Sequence, residues 1–207
     1  MTNATKPFAD INAIRDTQEA VRKQPELGNV TFKVRGKATG GLAFAGETGP
    51  LIQNGQADQS RTGKFSAISD EPVSLLGTDT GVSPAEYVLQ ALAGCYTVTL
   101  SSMAAAKGIS LDGIELDLSF DINLNGFLGL DDKVRKGAQG INVDVKLASG
   151  SANRAQLEDL IRELPLNSPI HDTLANPVKV SARFLWSQAT ETDVVGHSLH
   201  AGRDGEP

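Results

Sequence analysis

Cys95 is the only thiol among the 207 residues, so any nucleophilic or redox sulfur chemistry belongs to that one atom. It lies inside Ser83–Gly108, SPAEYVLQALAGCYTVTLSSMAAAKG, which has no charged residue between Glu86 and Lys107. A free cysteine there also reads as a small core hydrophobe, since free Cys is among the most buried residue types. The thiolate is the reactive form, and a mid-helix position has no helix N-terminus to favour it. Reactivity at Cys95 therefore requires a cationic or hydrogen-bonding neighbour delivered by tertiary structure. Glu86 is the nearest acid along the stretch. At about 100° per residue it falls on the opposite face of a straight helix from Cys95. It also stands three residues after Ser83, the spacing of a capping box. His171 follows Ser168-Pro169-Ile170 at the start of a short helix, where a single histidine is a proton carrier or an ordinary satisfied side chain. His197 and His200 lack an acidic partner at ligand spacing, so no metal site is expected. There is no GxGxxG, Walker or GxSxG signature, and the glycines of Gly36–Gly41 precede no helix, so no phosphate cradle or cofactor is expected.

The elements that position these residues follow from periodicity. Ser83 is an N-cap, Pro84 suits the first helical position, and Lys107-Gly108 marks the end of the long helix. Apolar residues occur on every face of it, among them Val88, Leu92, Tyr96, Val98, Leu100 and Met103, which predicts burial all round. Its length of about 36 Å would span a bilayer. Gln90, Thr97, Thr99, Ser101 and Ser102 interrupt the apolar run and no basic cluster flanks it, so it reads as the central helix of a soluble protein.

Before it, Asp10–Gln24 predicts an amphipathic helix stopped by Pro25. Alternation and glycine turns predict strands near Val30–Arg35, Leu42–Ala45 and Gly63–Ile68, followed by a loop over 69–82. After it, Ile109–Ile122 and Ile141–Leu147 alternate as strands around a long loop with a buried Phe127-Leu128 tip. A second amphipathic helix covers Ser151–Leu164, a short helix runs from Asn167 through Leu174, and Val178–Trp186 predicts a final strand. Strands in runs, rather than alternating one by one with helices, predict an α+β fold with mostly antiparallel sheets. The expected organisation is a helical extension over 1–28, one domain over 29–187 and a polar tail over 188–207.

Composition bounds the function. A net charge of −6 with a pI near 5.1 offers no clustered basic surface for nucleic acid. Apolar and charged fractions of 40% and 21% are those of a globular chain. One cysteine allows no disulfide within the chain, and no basic-then-apolar leader opens the sequence, so a cytoplasmic protein is expected.

Several segments together resemble the OsmC/Ohr family of thiol peroxidases. They are SDEP at Ser69–Pro72, the Gly77-Thr78-Asp79 turn, SPAEYVLQALAGC at Ser83–Cys95, AAAKGI at Ala104–Ile109, GFLGL at Gly126–Leu130, and SPIHDTLANPVKV at Ser168–Val180. The resemblance implies an intertwined homodimer, with the long central helices packed between sheets and the active site at the interface. It implies that Cys95 is the peroxidatic nucleophile, served by an Arg from an early strand and a Glu near the helix start. Three departures stand out. The resolving cysteine's place is taken by Ser168, so an external thiol must recycle the enzyme or the cycle is impaired. Glu86 comes one residue later than in the organic-hydroperoxide members, where Ala85 stands here. The arginine is Arg35 by preference, with Lys37 and Arg61 as alternatives. Ser168, His171, Leu92, Tyr96 and Phe127 are expected to line a mostly apolar pocket for an organic hydroperoxide. The competing reading is a catalytically impaired relative that binds a small apolar ligand.

Overall fold

The structure is a computed structural model and describes residues 6–185; the expected C-terminal tail, with His197 and His200, lies outside the described residues. The chain divides into a unit Met1–Asn176 and a unit Pro177–Pro207. In the first, α1 spans Ile11–Lys23, capped by Asp10, whose carboxylate accepts from the N–H groups of Asn12 and Ala13. A 3-10 turn over Pro25–Gly28 follows.

Three antiparallel sheets come next. β1 (Val30–Thr31), β4 (Leu51–Gln53) and β5 (Gln56–Asp58) form one, in the order β1-β4-β5. The β4–β5 hairpin turns on Asn54-Gly55, both at positive φ, the strongest short-range hairpin signal there is. β2 (Val34–Gly40), β3 (Ala43–Thr48) and β6 (Ser66–Ser69) form the second. β7 (Gly113–Asp121) and β8 (Gly140–Ala148) form the third, in register from Gly113 opposite Ala148 to Asp121 opposite Gly140.

The long helix α2 spans Pro84–Ala106. Its capping box is complete: Ser83 Oγ accepts from the Glu86 N–H at 3.2 Å and Glu86 Oε2 accepts from the Ser83 N–H at 2.8 Å. Gly108 ends it at φ 68°, a left-handed conformation that glycine adopts without a Cβ penalty. α4 (Arg154–Asn167) is capped by Asn153 and Gln156 in the same reciprocal way, and α5 (Pro169–Ala175) follows at once. The core joins Leu92, Tyr96, Leu100 and Ala104 of α2 to Ile109 and Leu111, and to Leu160 and Leu164 of α4. The inward residues of β7 and β8, among them Leu116, Leu118, Ile141 and Val143, pack against it.

Four expectations need correction. α2 is not buried all round: Leu92, Tyr96, Thr99, Leu100 and Ala104 are buried, whereas Val98 is 67% exposed. Among the described residues, α4, α5 and β7 pack on α2, and α1 touches it as well. The Phe127-Leu128 tip is exposed. The inward residue of α3 (Leu124–Phe127) is Gly126, where an added Cβ would meet the Val134 and Arg135 carbonyl oxygens at 2.6 Å. The expected strand over Val178–Trp186 does not form across 177–185, which has no regular secondary structure, and Trp186 lies outside the described residues. Alternation supplies a strand's faces but not the partner whose hydrogen bonds make it a strand. Finally, β4 and β5 occupy a segment for which no strand was expected.

Candidate functional site

The loop that feeds α2 is built on one carboxylate. Asp70 is buried and accepts from the Thr78 hydroxyl at 2.6 Å, the Thr78 N–H at 3.0 Å, the Thr80 hydroxyl at 3.0 Å, the Thr80 N–H at 3.2 Å and the Glu71 N–H at 2.8 Å. The Thr78 hydroxyl leads these donors in holding the Asp70 carboxyl far below the usual carboxylate range, against the opposing cost of burial. Gly77 is required in this clamp because a Cβ there would sit 1.7 Å from the Glu71 carbonyl oxygen. The Ser69–Val82 bridge and the bond from the Tyr87 hydroxyl to the Ile68 carbonyl, 2.9 Å, then tie the start of α2 to β6. The SDEP and Gly77-Thr78-Asp79 segments thus have a local structural reason.

Cys95 is half-buried in the fourth turn of α2. Its sulfur meets Ser168, whose hydroxyl donates to Sγ at 3.1 Å. Ser168 is 2% exposed and sits where α4 ends and α5 begins. It caps α5 by accepting from the His171 N–H at 3.3 Å. With Pro169 at the first helical position, two helices fix this hydroxyl. The next residue along α2 is Tyr96, whose hydroxyl lies 2.6 Å from His171 Nδ1, and the two rings stack with centroids 6.0 Å apart. Burial, and then repulsion from a negative Cys95, push the Tyr96 phenol upward. The phenol therefore stays protonated, and which of the Tyr96 hydroxyl and His171 Nδ1 donates follows from the imidazole tautomer.

Beside this pair is a cavity of about 240 Å³ lined by Leu92, Tyr96, Ile141, Val143, His171, Leu174 and, at one side, Arg135. Leu92, Tyr96 and His171 line this cavity, and Ser168 stands at the sulfur. Phe127 does not line the cavity and is 63% exposed. Glu86 is committed to the Ser83 cap. Arg35 lies opposite Glu47 in the β2–β3 register, with its Nε and Nη2 both 2.7 Å from Glu47 Oε1. Arg61 lies over the Phe65 ring, 5.4 Å from its centroid, and Lys37 faces Ala45 across the ladder. Among the described residues, Ser168 is the side chain that reaches the Cys95 sulfur, and no group of three metal-ligating side chains comes together. Arg135 escaped the sequence reading. A cation in a loop between two alternating strands carries no local mark of the cavity wall it joins.

A family model described as OsmC-like protein matches residues 77–183, just over half of the chain. The chain belongs to the OsmC-like family. The matched stretch contains Cys95, Ser168 and the whole cavity wall. Among solved structures, the OsmC-like fold here is similar to an OsmC-like protein from Mycoplasma pneumoniae, at 19% identity over 70% of this chain and 87% of that one, with a TM-score of 0.54. It is also similar to an organic hydroperoxide resistance protein OsmC from Legionella pneumophila, at 16% identity over 70% of this chain and 88% of that one, with a TM-score of 0.50. A hypothetical protein from Aquifex aeolicus VF5 is comparable, at 13% identity over 70% and 87% and a TM-score of 0.50. At these identities the likeness is one of fold, an α+β arrangement of antiparallel sheets with a long central helix. No curated protein matches the sequence.

Proposed function

We propose that this OsmC-like chain is a single-cysteine peroxidase that reduces organic hydroperoxides at Cys95 and is recycled by an external thiol. The observation that carries this reading is the 3.1 Å approach of the Ser168 hydroxyl to the Cys95 sulfur. A donated hydrogen bond stabilises a thiolate. The Cys95 thiolate attacks the terminal oxygen of ROOH. An S–O bond forms with two electrons from sulfur, the O–O bond breaks, and RO⁻ takes a proton and leaves as the alcohol. Cys95 remains as sulfenic acid. Ser168 offers no thiol at the contact point, so no disulfide closes within the chain. An external thiol R′SH condenses with the sulfenic acid, releasing water and leaving a mixed disulfide. A second R′SH frees Cys95 and departs as R′SSR′. The apolar cavity walls suit an apolar R group, and a reducing cytoplasm supplies the thiols.

The reading includes a homodimer. Val30, Phe32, Val34, Leu42, Phe44, Phe65 and Ile68 are exposed on the N-terminal strands and their connections, and α2 has a second apolar face. Val34, Phe44 and Phe65 line one apolar hollow, and exposed apolar surface of this kind marks an interaction face. Arg35, held by Glu47 within its own subunit, is reserved in this reading for a thiolate across that interface. A monomer by light scattering at micromolar concentration contradicts the dimer. Peroxide consumption with a dithiol reductant tests the chemistry: the wild type turns over and Cys95→Ser does not. Equal rates in the two, or an inert wild type, refute the peroxidase reading.

One observation favours a second reading, a catalytically impaired binder of a small apolar ligand. Among the described residues no guanidinium bonds the sulfur, and Arg35 is engaged by Glu47. An inert wild type that still binds apolar molecules in the cavity supports it.

A further inference from the structure

We propose that the cavity between α2, α5 and β8 is a binding site for a short aliphatic carboxylate, with Arg135 holding the carboxylate and the apolar walls holding the chain. The walls are Leu92 from α2, Ile141 and Val143 from β8, and Leu174 from α5. The polar groups on this lining are of two kinds. The Tyr96 hydroxyl and His171 Nδ1 are engaged with each other at 2.6 Å, and Gln139 Nε2 is engaged by the Arg135 and Gly137 carbonyls. Arg135 is not spent: among the described residues it takes part in no ion pair. Its acidic loop neighbour Asp131 is turned to the Lys133 N–H at 2.9 Å instead.

The loop that carries Arg135 is built rather than loose. Gln139 Nε2 donates to the carbonyls of Arg135 and Gly137 at 2.9 and 3.2 Å, and the Gln139 N–H bonds the Asp121 carbonyl at 2.7 Å. Gly126 of α3 packs so closely on the Val134 and Arg135 carbonyls that no side chain fits between them. A planar guanidinium beside an apolar cavity recognises a carboxylate through paired N–H donors. The volume of about 240 Å³ lies below the roughly 300–1,000 Å³ of sites for drug-sized ligands, which selects a short chain. Binding of the acid stands on the cavity alone. That a carboxylate-bearing hydroperoxide is the peroxidase substrate rests in addition on the proposed function.

The test is calorimetric titration of the full chain with sodium octanoate, using 1-octanol as the neutral isostere. The expected result is one saturable octanoate site per chain, with octanol bound at least about tenfold more weakly. Arg135→Gln brings octanoate down to the octanol level, and Arg135→Lys, which restores a cation, recovers part of the difference. Circular dichroism confirms that each variant is folded; Arg135 is exposed outside any helix or strand, so both substitutions leave the core untouched. Equal binding of octanoate and octanol by the wild type overturns the proposal, as does octanoate binding that Arg135→Gln leaves unchanged. The same titration on Cys95→Ser separates the two readings: octanoate affinity persists there whatever becomes of peroxide turnover.

Discussion

Replacing Ser168 by cysteine converts the central contact into a measurable bond. The wild-type oxygen lies 3.1 Å from Cys95 Sγ, and a disulfide needs about 2.05 Å, so closure requires roughly 1 Å of side-chain movement. The two positions are 73 residues apart. Cross-linking a loop of that length removes about 15 cal/mol/K from the unfolded ensemble, or about 4 kcal/mol at 25 °C. Loss of the serine cap on α5 returns about 1 kcal/mol of this. Oxidised Ser168→Cys should therefore unfold in urea about 4 kcal/mol later than the same variant kept reduced, and about 3 kcal/mol later than the wild type. A chemical readout accompanies the thermodynamic one. One equivalent of peroxide leaves the wild type with a sulfenic acid that dimedone traps, whereas in Ser168→Cys the second thiol consumes it and dimedone labelling falls away. A variant that forms no internal disulfide by mass spectrometry, or that labels as strongly as the wild type, refutes the placement of Ser168 against a reactive sulfur.

Other consequences concern the frame around the site. Leu100 is fully buried between α2 and its core partners, so Leu100→Ala should cost about 2–5 kcal/mol in urea denaturation. A loss below 1 kcal/mol would show that the site collapses or is not core. The Asp70 carboxyl is depressed in the folded state, so the stability it brings is complete above its ordinary value of 3.8 and is lost as pH falls below that. The stability gap between wild type and Asp70→Asn should accordingly be widest near neutrality and shrink from pH 4 to pH 2; a gap independent of pH contradicts the clamp. Gly126→Ala places a Cβ at 2.6 Å from two carbonyl oxygens and should destabilise the chain by about 1–3 kcal/mol. Unchanged thermal unfolding would show that α3 does not pack as described.

Much of this arrangement could be read from local chemistry. Caps are contiguous in sequence, so Ser83, Glu86 and Gly108 announced the ends of α2, and the box formed as spaced. Helical geometry alone also separated Glu86 from Cys95. Period-two alternation named the inward faces of β7 and β8, including Ile141 and Val143. The same rule failed at 178–186, because pairing is a property of two segments and alternation of one. It was silent at β4–β5, where three-residue strands are too short for a period to register, although Asn54-Gly55 carried the turn.

What depended on position along the chain was legible: one nucleophile, one capped helix around it, and a serine where a second thiol would be expected. What depended on distance through space belonged to the tertiary structure. Folding alone brings Ser168 to within 3.1 Å of a sulfur 73 residues away, pairs Tyr96 with His171, gives Arg35 to Glu47, and sets Arg135 in a cavity wall. Hydrogen bonds and ion pairs require approach within a few ångströms, and for residues far apart in sequence that approach is set by how helices and sheets pack, not by any local pattern.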